Sequence, residues 1–355
     1  MILLDCKKII IIFILLITNN KINKKIIQSL ENPKISIFLP TYNKEKYIEK
    51  ALNSLQNQTL KDIEIIVIND SSNDNTSDII NCYASKDKRI KVLNNQKNYG
   101  LLYSRAMGII HSSGEYLLNL DPDDELDDSD NLEYLYKKAV TFNVDIISFN
   151  YYLKSENKSI NLCNDFDHVI RQPKIFESIF SDDFILRDYL IWNKIIKKDI
   201  FLKAYELFKN YIYYKKWNYH EDNIWSILVH YLASSKLCLN KTIYDYNNIQ
   251  NNDSLMKTRK SLMECNNFIY RFEILRQILN SPIYFKYINA ECNSLIENIY
   301  HSSEFRKKID TNKNLNVKVF YNFKICFNNY NISNNYRNYT IDFIKSFNKS
   351  ILTII

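Results

Sequence analysis

An α/β fold, a mostly parallel sheet flanked by helices with a helical extension at the carboxyl end, is predicted for this 355-residue chain by two observations. From Ile35 onward, short β-branched and almost wholly apolar runs alternate with stretches whose apolar residues recur at three and four. The polar residues of the same region gather at the carboxyl ends of those runs, where a parallel sheet opens to its surroundings.

The elements follow in order. "ISIFLP" from Ile35, "IEIIVIND" from Ile63, "IKVLNN" from Ile90 and "YLLNLD" from Tyr116 read as strands buried on both faces, since no polar residue alternates through them. Helical spacing fills the gaps, in "KEKYIEKALNSLQNQ" and "NTSDIINCYASKD", so the strands pair in parallel through crossovers. A further strand, "VDIISFNYYL", follows the helix-like "NLEYLYKKAVTF". The first strand ends in Pro40, Thr41, Tyr42 and Asn43, the second in Asn69 and Asp70, the fourth in Asp121, Asp123 and Asp124. Three strand ends therefore converge on one crevice. After about Asn150 the alternation weakens, and beyond Gln250 amphipathic helices such as "FIYRFEILRQIL" dominate. The expected organisation is a hydrophobic segment over 1–25, the sheet domain over 33–250 and a helical region over 251–355.

A composition of 46% hydrophobic and 14% aromatic residues supplies a core. The net charge of +7 comes from scattered lysines, and no basic cluster is interleaved with aromatics, which excludes a strand-binding groove for nucleic acid. The three glycines of the chain, Gly100, Gly108 and Gly114, fall within fifteen positions just before the acidic segment, marking backbone that is conformationally demanding. Seven dispersed cysteines without a Cys-x-x-Cys pair indicate neither a zinc site nor a disulfide framework.

At the amino end, Lys7 and Lys8 precede nine apolar residues, Ile9 to Ile17. That length suits a signal-peptide core and falls short of a full span, although Met1 to Leu4 extend it. No small-residue cleavage pattern follows, which favours an uncleaved membrane anchor over a removed signal or a soluble extension. Lys on both flanks leaves the orientation open.

In "YLLNLDPDDELDD", Asp121, Asp123, Asp124 and Glu125 crowd four carboxylates into five positions. They repel one another unless water or a cation balances them. Asp121 and Asp123, two apart in an extended segment, address one ligand, and hard carboxylate oxygens suit Mg²⁺ or Mn²⁺. The bland alternatives are a solvated turn and a helix cap at Ser129 or Asp130.

The order of signals sharpens the reading. "PTYN", "NDSSNDNT", "NYGLLYSRAMGI", "SGEYLLNLDPDD", "WNKIIKKDIF" and "HEDNIW" together resemble the family 2 glycosyltransferases of the GT-A fold, over roughly 33–249. The resemblance implies a non-processive transfer, with inversion, from a nucleotide-sugar donor, in the first place a UDP-sugar, to a glycan, lipid or protein acceptor. It places Thr41, Tyr42 and Asn43 at the start of the nucleotide pocket, and Asp70 at the base-reading position. Asn98, Gly100 and Arg105 match the segment closing over the nucleotide and diphosphate. Asp121 and Asp123 match the Asp-x-Asp pair that holds Mn²⁺ or Mg²⁺, and Asp124 the position beside the donor sugar. Asn193, Lys194 and Glu221 match acceptor-side motifs, and Asp222 matches the general base.

Departures exist. Ser71 and Asn75 stand where the family has Gly, although Asn tolerates left-handed backbone better than most residues. Ala106 replaces a common Asn, and "YDYN" at Tyr244 to Asn247 lacks a common Arg. A polymer synthase is disfavoured because no Gln-x-x-Arg-Trp or multiple spans follow, and a nucleotidyltransferase because the first strand end is not a Gly-rich basic loop. The remaining alternative is a degenerate relative that binds nucleotide or glycan without turnover. Tyr42, Trp192 and Trp225 carry core packing as their structural reading, Arg105 a surface charge, and Asn69 and Asp74 turn formation before a helix near Thr76.

Overall fold

A computed structural model describes residues 32–161, 166–180, 188, 190–212 and 221–247, with Leu275, Ile278 and Leu279. The hydrophobic segment over 1–25 and nearly all of the expected helical region over 251–355 lie outside the described residues. Among the described residues no helix is long and apolar enough to cross a membrane. The chain divides into two compact units, one of Met1–Gln172, Leu190–Trp217 and Leu232–Gln250, the other of Pro173–Tyr189, Asn218–Tyr231 and Asn251–Ile355.

The first unit is built on the predicted parallel strands: β1 (Ile35–Thr41), β2 (Ile63–Asn69), β3 (Ile90–Asn94) and β4 (Tyr116–Asn119). β1 pairs in parallel with β2 on one side and β4 on the other, and β2 with β3. Every residue of β1, β2 and β4 is buried, which is why these runs carry no polar alternation. Between them run α1 (Ile48–Gln56), α2 (Thr76–Lys86) and α3 (Leu101–His111). α1 buries Ile48, Ala51, Leu52 and Leu55, an i, i+3, i+4, i+7 stripe, each large member contributing about 2 kcal/mol on leaving water. α3 lies close on β1, where a Cβ at Gly108 would come within 2.7 Å of the Phe38 ring.

Glu64 fixes the amino-terminal edge of these strands. Its carboxylate, 3% exposed, accepts from Ser36 Oγ at 2.5 Å, Ser113 N at 2.5 Å and Oγ at 2.7 Å, and Lys91 Nζ at 2.6 Å. Gly114 donates its N–H to Ser36 Oγ at 2.7 Å, and a Cβ there would stand 2.6 Å from Ser36 N. A side chain at 114 would thus break the network that a buried carboxylate requires.

The chain continues through β5 (Glu125–Leu126), α4 (Asn131–Phe142), β6 (Ile146–Leu153), β7 (Lys158–Ile160) and β8 (Val169–Arg171). After these come α5 (Lys174–Glu177), β9 (Lys194–Lys197), α6 (Lys198–Ile212), α7 (Glu221–Leu232) and β10 (Ser235–Tyr246). The sheet order is β3-β2-β1-β4-β9-β6-β10-β5, with β7 on β6 and β8 on β10. β9 and the 12-residue β10 were not among the expected strands. β9 enters antiparallel between β4 and β6, so the sheet is parallel on one flank and mixed on the other. Cys238 of β10 is disulfide-bonded, which its spacing in sequence does not show, since spacing says nothing about Cα proximity.

Candidate active site

The chain runs outward through β1, β2 and β3 and then returns to the other side of β1 with β4. That reversal opens a crevice between the carboxyl ends of β1 and β4, the position at which α/β sheets bind ligands. Thr41 is buried, its hydroxyl turned back on Leu39 O at 3.1 Å. Tyr42 is 40% exposed, so it is not core packing. Asn43 adopts φ 51° and accepts at Oδ1 from Asn73 N at 2.8 Å, tying the β1 end to the β2 end. The next residue, Lys44, is anchored by its N–H on Thr76 Oγ1 at 2.7 Å and sends its ammonium across the crevice.

Asp70, at the end of β2, is buried and heavily engaged. It accepts from Asn95 Nδ2 at 2.7 Å, Tyr99 N at 2.9 Å and Gly100 N at 2.8 Å. Gly100 needs its φ of 94° to begin α3 there, which explains one of the rare glycines. Asn98, inside the same segment, has its Oδ1 buried without a protein donor. Asn69 accepts from Ser72 N and Asp74 from Thr76 N, so both form the turn before α2. The left-handed residue of that turn is Ser71, at φ 62°, whereas Asn75 sits at φ −72°. Of the two positions, the one that demands left-handed backbone is the serine.

The acidic turn carries its own cations. Arg105, 1% exposed and so not a surface charge, donates from Nη2 to Asp121 Oδ1 at 3.1 Å and from Nε to Asn119 Oδ1 at 3.2 Å. Asn119 Nδ2 adds a bond to the same Asp121 oxygen at 2.9 Å. Lys44 Nζ lies 2.6 Å from Asp123 Oδ2, and Lys154 lies 2.5 Å from Glu125 and 3.2 Å from Asp245. Burial works against the Lys44 ammonium, but Asp123, helped by Asp121 and Asp124, raises it above the usual lysine value. Asp124 is buried and accepts from Tyr244 Oη at 2.7 Å and Asn247 N at 2.7 Å. Burial first, then the charges of Asp123 and Asp121, push its carboxyl well above the usual range.

The Glycosyl transferase family 2 profile matches residues 36–201, which contain this crevice. EpsH of Bacillus subtilis is 30% identical over 244 residues, 68% of this chain and 68% of EpsH. The chain belongs to glycosyl transferase family 2. GlyA, a glycosyltransferase of Streptococcus pneumoniae, is 32% identical over 225 residues, covering 61% of this chain but only 31% of GlyA. Among solved structures, S. aureus TarS in complex with UDP-GlcNAc superposes with a TM-score of 0.60 at 20% identity, covering 78% of this chain and 77% of that one. That likeness is one of fold.

Trp192 of the "WNK" segment packs against Tyr244, the residue that donates to Asp124. Trp192 is buried, stacks on Tyr244 with centroids 4.5 Å apart and on Tyr246 at 5.2 Å, and meets Tyr151 edge-on at 4.9 Å. Asn193 and Lys194 are both buried, and Lys194 Nζ donates to Asn193 Oδ1 at 2.6 Å and Leu190 O at 2.5 Å. Sequence reasoning missed Lys44, Asn119 and Tyr244 as parts of the site. Tyr244 carries a signal, since "YDYN" departs from the family pattern by lacking an Arg; Lys44 carries none.

Glu221 and Asp222 belong to the second compact unit, in the first turn of α7. This helix buries Ile224, Trp225, Ile227 and Leu228, while Tyr231 is 38% exposed. Carboxylates in a first turn are favoured by the helix dipole.

Among the described residues no group of three or more His, Cys, Asp or Glu forms a metal-holding cluster. The donor set still fits a divalent ion that draws its remaining ligands from a substrate. Mg²⁺ and Mn²⁺ sites of this kind use one or two carboxylates plus phosphate oxygens, and Asp121 and Asp123 supply two at one strand end.

Proposed function

We propose that this chain moves a sugar from a nucleoside diphosphate donor, first of all a UDP-sugar, to a hydroxyl of a glycan, lipid or protein acceptor, one sugar at a time and with inversion. The observation that carries the reading is the meeting, at the switch point of a family 2 sheet, of the Thr41–Lys44 turn, the Asp70 loop and the acids of the β4 end. Thr41, Tyr42, Asn43 and Asp70, with Asn98 and Gly100, frame the nucleotide, and the orphaned Asn98 oxygen is an acceptor for a ligand N–H or O–H.

Asp121 and Asp123 would hold Mn²⁺ or Mg²⁺, which when bound steadies the charge that develops on the leaving diphosphate. The acceptor oxygen forms its bond to the anomeric carbon as the bond to the diphosphate oxygen breaks, and Asp222 takes the hydroxyl proton. Asp124, held by Tyr244 and Asn247, orients the donor sugar. The UDP preference follows the family pattern at Asp70 and the donor found in TarS. Residues 1–25 hold the protein to a membrane through Ile9–Ile17; their deletion should move the protein to the soluble fraction, and a full-length chain already soluble would refute this.

A thermal-shift screen of UDP-, GDP- and dTDP-sugars with and without Mn²⁺ tests the donor. A Mn²⁺-dependent rise with UDP-sugars is expected, and no response to any nucleotide would overturn the reading. Slow hydrolysis of the bound UDP-sugar separates an enzyme from a degenerate relative, which would bind without release of UDP.

A further inference from the structure

We infer that Lys44 is a built-in counter-cation of Asp123, competing with a divalent ion for that carboxylate until a nucleoside diphosphate takes the ammonium over. The inference deepens the donor reading above and rests on it.

The two cations of the acidic turn are held differently. Arg105 is 1% exposed, extends from the interior of α3 and is shared between Asp121 and Asn119, so it has no room to leave. Lys44 is 23% exposed and Asp123 35% exposed, and their contact is a single 2.6 Å ammonium–carboxylate bond. Its backbone is pinned: the N–H donates to Thr76 Oγ1, and its carbonyl accepts from Tyr47 N and Ile48 N at 3.0 Å. The part that can swing is the four-carbon stem, whose ammonium otherwise lies 5.8 Å from the centre of the Tyr47 ring, and a lysine is a compact charge on such a stem. The ammonium is also attracted by Asp121 and Asp124, so it sits in the field of all three acids.

The consequence is ordered binding. A divalent ion arriving alone must either displace Lys44 into water or sit beside a like charge, and both weaken its hold on Asp123. A diphosphate arriving with the ion brings oxygens that accept the ammonium, so the displacement costs little. Asp121 keeps Arg105 throughout, so Asp123 is the acid whose partner exchanges.

Lys44→Met on the full-length chain removes the charge at similar length. Mn²⁺ affinity without nucleotide, read by electron paramagnetic resonance, should tighten about tenfold, while UDP affinity at saturating Mn²⁺, read by calorimetry, should weaken about tenfold. Lys44→Arg keeps the charge and should leave Mn²⁺ binding alone weak. Unchanged Mn²⁺ affinity in Lys44→Met would overturn the inference, as would Mn²⁺ tightening equally in Lys44→Arg. If the wild type binds no UDP at any Mn²⁺ concentration, the donor reading itself fails and takes this inference with it.

Discussion

Arg105 Nη2 and Asp121 Oδ1 stand 3.1 Å apart, joining the middle of α3 to the end of β4 from inside the protein. The guanidinium therefore belongs to the fold before it belongs to any ligand. Arg105→Met leaves Asp121 with only Asn119 on that oxygen, and should destabilise the protein by about 3 kcal/mol in urea denaturation. A loss under about 1 kcal/mol would assign Arg105 to ligand binding instead.

Ser71 adopts φ 62°, in a turn where the family pattern has Gly. Ser71→Gly should raise stability by about 1 kcal/mol by removing the Cβ clash of left-handed backbone. Asn75→Gly should lower it by up to about 1 kcal/mol, because Asn75 sits at φ −72° and gains nothing but chain entropy. Melting temperatures of the two variants moving in the same direction would contradict this account.

Burial would raise the Glu64 carboxyl, but hydrogen bonds from Lys91, Ser36 and Ser113 bring it from its ordinary 4.5 down to about 2. A carboxyl lowered in the folded state contributes stability above its unfolded value, and that contribution is lost as pH falls from about 4.5 through about 2. Glu64→Gln should thus cost about 3 kcal/mol at pH 7, with the gap to wild type closing toward pH 2. A gap that stays constant from pH 7 to pH 3 would rule out the charged network as its source.

Asp222→Asn keeps shape and helix-start position while removing a proton acceptor. UDP binding should survive, and transfer to a verified acceptor should fall by about 10² or more. Glu221→Gln should do less, since Glu221 is 3% exposed. Transfer near the wild-type rate in Asp222→Asn would return Asp222 to a purely structural place at the start of α7.

The parallel half of the sheet is legible in the sequence because strands buried on both faces leave nearly continuous apolar runs, and Ile35–Thr41 and Ile63–Asn69 do so with Ser36 and Glu64 as their interior polar residues. β10 is not, because register shifts between Leu239 and Thr242 and again before Tyr244 break its alternation just where Asn240 and Lys241 intervene. β9 is four residues long and runs straight into α6, so its apolar pair reads as the start of the helix. The acids of the site were visible as a cluster, whereas their cations come from 79 residues away at Lys44 and from a buried helix face at Arg105. Local pattern carries no information about partners of that kind.

Tyr244, on a strand inserted between β6 and β5, and Asn247, just past its end, reach Asp124 across 120 and 123 residues of chain. Such contacts form late, because the loop they close is long. A nascent chain that has emerged from the ribosome only as far as β6 already bears every acid of the turn, yet Asp124 has neither of these partners and its carboxylate is left to water. Competence at this crevice is therefore a property of the finished polypeptide: truncation after β6 but before Ser235 yields a molecule with all four acids of the turn and without the strand that holds Asp124.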